Sequence, residues 1–182
     1  MEDLSLHILD IAENSIEAQA KRIDIRIEEN PRLDRMILVL SDDGRGMDKK
    51  LRARALDPFV TTKTVRRIGL GLSLLAQAAK AAGGKLTLRS RPGQGTKVRA
   101  TFELSHVDRK PLGDIAQTLA MLIVAHPDLD IRYSHKSGKK TYIFDTQDLR
   151  SQLGGLSLAA PQVVAVIKKT IQEGIQEIRR TL

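Results

Sequence analysis

The 182-residue chain contains no cysteine and no tryptophan, and only two tyrosines and three phenylalanines. Without cysteine there is no disulfide framework, no thiolate metal site and no cysteine nucleophile. The scarcity of aromatic rings leaves little on which the bases of single-stranded nucleic acid could stack. No stretch approaches the roughly 18 uninterrupted apolar residues of a membrane span. The acidic start, Met1-Glu2-Asp3-Leu4-Ser5, lacks the basic and apolar regions of a signal peptide. The expectation is a cytoplasmic protein of one globular domain, or one domain with an appendage.

What the chain does have is positive charge, a formal +8. It is spread along the sequence: residues 1–104 carry 19 basic and 14 acidic side chains, and residues 105–182 carry 11 and 8. The densest runs, Lys49-Lys50-Leu51-Arg52-Ala53-Arg54 and Lys63-Thr64-Val65-Arg66-Arg67, could meet phosphates, but an even spread reads first as a solvated basic face.

Apolar residues at Leu4, Ile8, Ile11, Ala12, Ile16 and Ala20 recur at three and four, the stripe of an amphipathic helix. Strict alternation over residues 22–28 and an apolar run over 36–40 predict two strands, with a turn at Asn30-Pro31. A short basic helix follows near residues 48–55. Residues 56–69 have neither period and predict a long loop, of the kind that forms a lid. A helix over 70–82 ends at Gly83-Gly84, and strands over 85–89 and 96–102 flank the turn Arg91-Pro92-Gly93-Gln94-Gly95. Beyond Ser105 the pattern predicts a helix over 112–125, a hairpin around Ser137-Gly138-Lys139 and a long helix over 160–178 with Pro161 in its first turn. The segment 105–111 is the expected boundary between a domain of residues 1–104 and an α+β extension of residues 105–182.

Four constellations carry chemistry. Asp10 and Asn14 are spaced i, i+4 on the first helix and so offer a carboxylate and an amide oxygen on one face, hard donors suited to a hydrated magnesium ion. The run Asp42-Asp43-Gly44-Arg45-Gly46-Met47 follows a strand directly; a carboxylate there can accept the amino group of adenine, and the glycines allow close backbone approach. Alone, it also suits an Asp-Gly turn or a fragment of a calcium loop, although residues 47–53 supply no terminal bidentate acid for an EF-hand. The lid Asp57-Pro58-Phe59-Val60-Thr61-Thr62-Lys63 leads into Gly69-Leu70-Gly71-Leu72 at a helix start, where backbone N–H groups and the helix dipole favour an anion. No strand runs into Gly69, which excludes a Rossmann turn, and no Gly-Lys-Ser or Gly-Lys-Thr forms a Walker A loop. The fourth is Gly93-Gln94-Gly95-Thr96, where Thr96 could bond a base, or Asp42 through water.

Together the four resemble the GHKL ATPases, the superfamily of gyrase, the heat-shock chaperone, histidine kinases and MutL. Residues 9–18 look like its N-box, residues 42–46 like its G1 box, residues 57–72 like the lid and G2 box of sensor histidine kinases, and residues 93–96 like the last glycine box. The resemblance covers roughly residues 4–104. It implies a Bergerat fold, a two-layer α/β sandwich, with Mg-ATP as ligand. It also implies Asn14 on magnesium, Asp42 on the adenine amine, and Gly46 and Thr96 beside the base. Gly44, Met47, Phe59, Thr61, Thr62, Lys63, Gly69, Leu70, Gly71 and Leu72 are the remaining candidate nucleotide contacts.

Two departures accompany it. Arg67 and Ile68 stand where histidine kinases carry a further glycine, which implies a stiffer lid. Asp10 occupies the place of the glutamate that serves as general base in the hydrolysing branch, one methylene shorter but still able to orient a water. His7, His106, His126 and His135 are followed by Ile8, Val107, Pro127 and Lys136, so none carries the acid that follows a phosphoacceptor histidine. The expected function is an ATP-binding regulator acting on an unidentified protein partner by phosphotransfer or switching. A non-catalytic nucleotide sensor is the alternative, and an ATPase clamp of the MutL or gyrase type a third.

Overall fold

A computed structural model describes residues 2–56 and 71–180. The described chain forms one mixed six-stranded sheet with helices packed on one of its faces. The elements are α1 (Leu4–Glu17), β1 (Arg22–Asn30), β2 (Arg35–Asp42), α2 (Lys49–Arg54), α3 (Gly71–Ala81), β3 (Lys85–Ser90), β4 (Thr96–Glu103), α4 (Ile115–Ala125), β5 (Asp130–Ser137), β6 (Lys140–Asp145), α5 (Thr146–Gln152) and α6 (Pro161–Arg179). This is the expected α/β sandwich.

The strand order is β3-β4-β2-β1-β5-β6. Only β1 and β5 run parallel; the other four neighbours are antiparallel. Alternation of side chains does the sorting. Ile23, Ile25 and Ile27 of β1, Met36, Leu38 and Leu40 of β2, Val98, Ala100 and Phe102 of β4, and Ile131 and Tyr133 of β5 are buried together beneath Leu4, Ile8 and Ile11 of α1, Leu75 and Ala79 of α3 and Leu119 and Leu122 of α4. Their neighbours in sequence point to the face that carries no helix layer.

Caps explain most of the helix starts. Asp3, Asp48, Asp114 and Asp145 each accept a backbone N–H from the first turn of α1, α2, α4 and α5. The Asp114 cap and the positive φ of Gly113 start α4 three residues later than the apolar pattern predicts. Among the described α-helices, the one that the pattern missed is α5, too short to show a stripe; Asp145, which caps it, is its only local signal.

The last strand pair continues the sheet of the first 104 residues, with β5 in register along β1 from Arg22 opposite Asp130 to Glu29 opposite Ser137. Leu104 and Ser105, at the expected boundary, are tied back to Asp34 through its backbone oxygen and its carboxylate.

Candidate functional site

Register fixes the floor of the site. Asp42 at the end of β2 lies opposite Thr96 at the start of β4, and Thr96 lies opposite Ser90 at the end of β3. Even-numbered residues of β2 face the helices, so the Asp42 carboxylate turns under α1 rather than onto the open face. There Oδ1 accepts the backbone N–H groups of Gly44 at 2.9 Å and Thr96 at 3.2 Å, and Oδ2 accepts the Ser15 hydroxyl at 2.8 Å. A carboxylate offers about four lone-pair positions. Three are used, and one on Oδ2 remains for a further donor. Asp43 is different: its Oδ1 is taken by the backbone N–H groups of Lys21 and Arg22, at 2.8 and 2.9 Å, and ties this loop to the start of β1.

The loop after Asp42 is held by the turn between β3 and β4. Gly93 donates to the Arg45 carbonyl at 2.8 Å and Met47 N–H donates to Ser90 Oγ at 2.8 Å. Gly46 has φ +67°, and a Cβ there would run into the Arg91 carbonyl; at Gly44 it would lie 2.8 Å from the Ala18 carbonyl oxygen. In both places the space that a side chain would need is filled by protein backbone, so these glycines close the loop onto its neighbours. Ser90 was absent from the sequence reasoning. Its hydroxyl bonds Gly95 O at 3.0 Å and Thr96 Oγ1 at 2.9 Å while accepting from Met47. Satisfying all three makes Thr96 the donor to Ser90 and leaves the lone pairs of Thr96 Oγ1 free. The expected water between Thr96 and Asp42 is unnecessary, because the backbone N–H makes that bond directly.

Above the floor, Asp10 and Asn14 share one face of α1 and both are half-buried. Neither side chain has a hydrogen bond or ion pair among the described residues. Gly71, the first residue of α3, stands against the Asp10 carboxylate: a Cβ there would overlap Oδ2 and crowd Cγ. Asp10 therefore sits beside the first turn of α3, where unpaired backbone N–H groups gather. His7, one turn earlier, is 2% exposed with Nδ1 unpartnered, and burial, the N-terminal charge and Lys110 hold it below its ordinary pKa against the opposing pull of Asp10 and Asp3. Leu72 is half-buried against the core as the second residue of α3. Phe59, Thr61, Thr62, Lys63, Gly69 and Leu70 lie outside the described residues.

The histidines bear on phosphotransfer. His135 is fully buried and His7 nearly so. His126 lies 3.8 Å from Glu13, and His106 Nδ1 accepts the Asp108 backbone N–H at 3.1 Å.

Residues 2–106 match the model of the histidine kinase-, DNA gyrase B- and HSP90-like ATPases. The match takes in more than half of the chain, and the chain belongs to this family: its first hundred residues are a histidine kinase-like ATPase domain. Over 110 residues it is 40% identical to the sensor protein kinase FleS of Pseudomonas aeruginosa, covering 60% of this chain and 27% of that protein. The signal transduction histidine-protein kinase AtoS of Escherichia coli is 36% identical over 98 residues, 53% of this chain and 15% of AtoS. The chain thus spans well under half the length of either kinase. Among solved structures, the Aquifex aeolicus MutL ATPase domain complexed with ADP superposes with a TM-score of 0.57 at 15% identity, over 84% of this chain and 68% of that one. At that identity the likeness shows the fold alone. No described helix is long and apolar enough to cross a membrane.

Proposed function

We propose that this chain binds Mg-ATP at the floor formed by Asp42 and Thr96 and acts on a protein partner, by phosphoryl transfer or by an ATP-dependent switch. The observation that carries the reading is the remaining lone pair on Asp42 Oδ2: a carboxylate held by three donors and still able to accept suits the amino group of adenine. Asn14 and Asp10 supply the other half of the argument. An amide and a carboxylate on one helix face, with no partner among the described residues and beside the start of α3, are hard oxygen donors in the place where phosphates and a magnesium ion would be held. Bound Mg-ATP would supply the transferable phosphoryl group. Asn14 would hold the ion, and Asp10 would orient a water or hydroxyl. The family and the sensor kinases it resembles support this reading, as does the match of residues 2–106. The partner and the chemistry beyond binding rest on the proposal.

The test is titration of Mg-ATP against the wild type and Asp42→Asn. An amide can keep the two backbone bonds through its oxygen and can donate to Ser15 through its nitrogen, so the fold should stand. It then presents N–H to the adenine amine in place of a lone pair. Affinity should fall by about 30-fold or more. Equal affinity of both proteins, or no binding by the wild type, overturns the site. Phosphate release and transfer measured on the same samples then separate a working Asp10 from a passive sensor.

A further inference from the structure

The helix-free face of the sheet carries cations beyond the Asp42 and Thr96 floor. The strand register brings Arg26 of β1, Val39 of β2, Arg99 of β4 and Thr87 of β3 into one row across it, and Asp24, Ser41, Lys97 and Arg89 into the next. Arg26, Arg89 and Lys97 are exposed and Arg99 is half-exposed. Among the described residues none of these four cations forms an ion pair, whereas Arg22 on the same face is paired with Asp24 and Asp145. Where the rows reach the strand ends they run into the cavity over the proposed nucleotide floor, about 570 Å³, whose lining includes Asp42 and Thr96 beside Arg52, Arg89, Arg91 and Lys97. Arg52 of α2 is partly committed, donating to the Ser90 carbonyl at 3.2 Å. The other three cations have no partner among the described residues.

Arg26, Arg89, Lys97 and Arg99 on one face repel one another, and that repulsion is relieved by an anion. The rest of the face decides which anion. Ile37 and Val39 lie half-buried at its centre, and Asp24 and Glu28 of β1 flank Arg26. A continuous phosphate backbone would have no use for the apolar centre and would be repelled by the β1 carboxylates. No aromatic side chain lies in the rows around Arg26, Arg89, Lys97 and Arg99 to stack bases. An apolar centre rimmed by arginines, with a few carboxylates on one side, has instead the anatomy of a protein–protein interface.

We propose that the β3-β4-β2 half of this face docks an acidic segment of a protein partner, whose carboxylates sit among Arg89, Lys97 and Arg99 and whose apolar side chains cover Ile37 and Val39. The surface lies across the sheet from the Asp10 and Asn14 face, so a bound segment leaves α1 and α3 uncovered.

The test uses the full chain and a short fluorescein-labelled peptide of alternating glutamate and leucine, with fluorescence anisotropy at physiological salt. The triple variant Arg89→Ala/Lys97→Ala/Arg99→Ala should bind the peptide about tenfold more weakly than the wild type. A control triple with the same charge change elsewhere, Lys139→Ala/Lys169→Ala/Arg180→Ala, should bind as the wild type does. Thermal melts should be the same in all three. Because Arg89 and Lys97 line the same cavity as Asp42, the control that keeps failure here independent of the nucleotide reading is Asp42→Asn, which should bind the peptide as the wild type does. Absence of peptide binding, or equal loss in both triples, sinks the proposal, since the second result means diffuse charge. So does tighter binding of a short DNA duplex through the same three residues, which would make the face a nucleic-acid surface.

Discussion

Ser15 of α1 donates its hydroxyl to Asp42 Oδ2 at 2.8 Å, joining the first helix to the end of β2 across 27 residues of sequence. The same hydroxyl lies 3.2 Å from the Ile11 carbonyl, but it has one proton and the carboxylate is both nearer and charged. This bond aims the oxygen that the proposal assigns to adenine.

Ser15→Ala should therefore lower Mg-ATP affinity without abolishing it, by about threefold to tenfold, because Asp42 keeps its two backbone donors and loses only one restraint. Stability should fall by about 1 kcal/mol. Calorimetric titration beside a thermal melt checks both, and an affinity loss as large as that of Asp42→Asn would show that Ser15 touches the nucleotide itself.

Gly71 and Asp10 should behave as a coupled pair. A methyl group at Gly71 meets the Asp10 carboxylate, while Asp10 Cβ stands at an ordinary 3.5 Å. Gly71→Ala should cost about 1–3 kcal/mol in the wild type, through overpacking. In an Asp10→Ala background the clash is gone, and the same change should be neutral or slightly stabilising because alanine favours a helix over glycine. A double-mutant cycle by urea denaturation reads the difference, and additive effects would contradict the contact.

At the other end of β1, Glu29 is 4% exposed; its Oε1 accepts from Arg179 of α6 at 2.6 Å, and His135 Nε2 stands 3.6 Å away, beyond hydrogen-bond length. Burial alone would raise this carboxyl, but the contacts with His135 and Arg179 outweigh it and hold it at about 2 against an ordinary 4.5. A carboxyl lowered in the folded state stabilises above its unfolded value, and loses that contribution as pH falls toward the folded one. The protein should lose stability between about pH 4.5 and 2 through this group. Glu29→Gln should flatten that part of the profile and lower neutral-pH stability by about 1–3 kcal/mol. Chemical denaturation at a series of pH values tests it; an unchanged acid slope would place the loss elsewhere.

Residues 105–182 are best regarded as part of the ATPase domain's own sheet rather than as a free appendage, a proposal that truncation decides. Cutting after Leu104 would leave β1 as an unpaired edge and would strip α4 from Leu4 and Ile8. The shortened chain should be insoluble or should melt without cooperativity. A shortened chain that melts cooperatively near the wild-type temperature and binds Mg-ATP equally well would restore the two-part division.

The sequence by itself determined the elements of this protein and the type of its site. Periodicity marked α1, α3 and α4, alternation marked the strands, and the spacing of Asp10, Asn14, Asp42, the glycine pairs and Thr96 marked the family to which residues 2–106 belong. These signals are local or motif-bound, so they survive without coordinates. Tertiary structure decided what depends on registry between distant strands. Only the pairing of β2 with β4 places Ser90, Thr96 and Asp42 in one row, and only there does Asp42 emerge with a lone pair to spare while Asp43 is committed to β1. Only the parallel pairing of β5 with β1 makes the tail continuous with the sheet. Charge scattered along the sequence became a basic surface for the same reason: alternation sends every second residue of a strand to the uncovered face, and which cations meet there is fixed by the neighbours that folding provides.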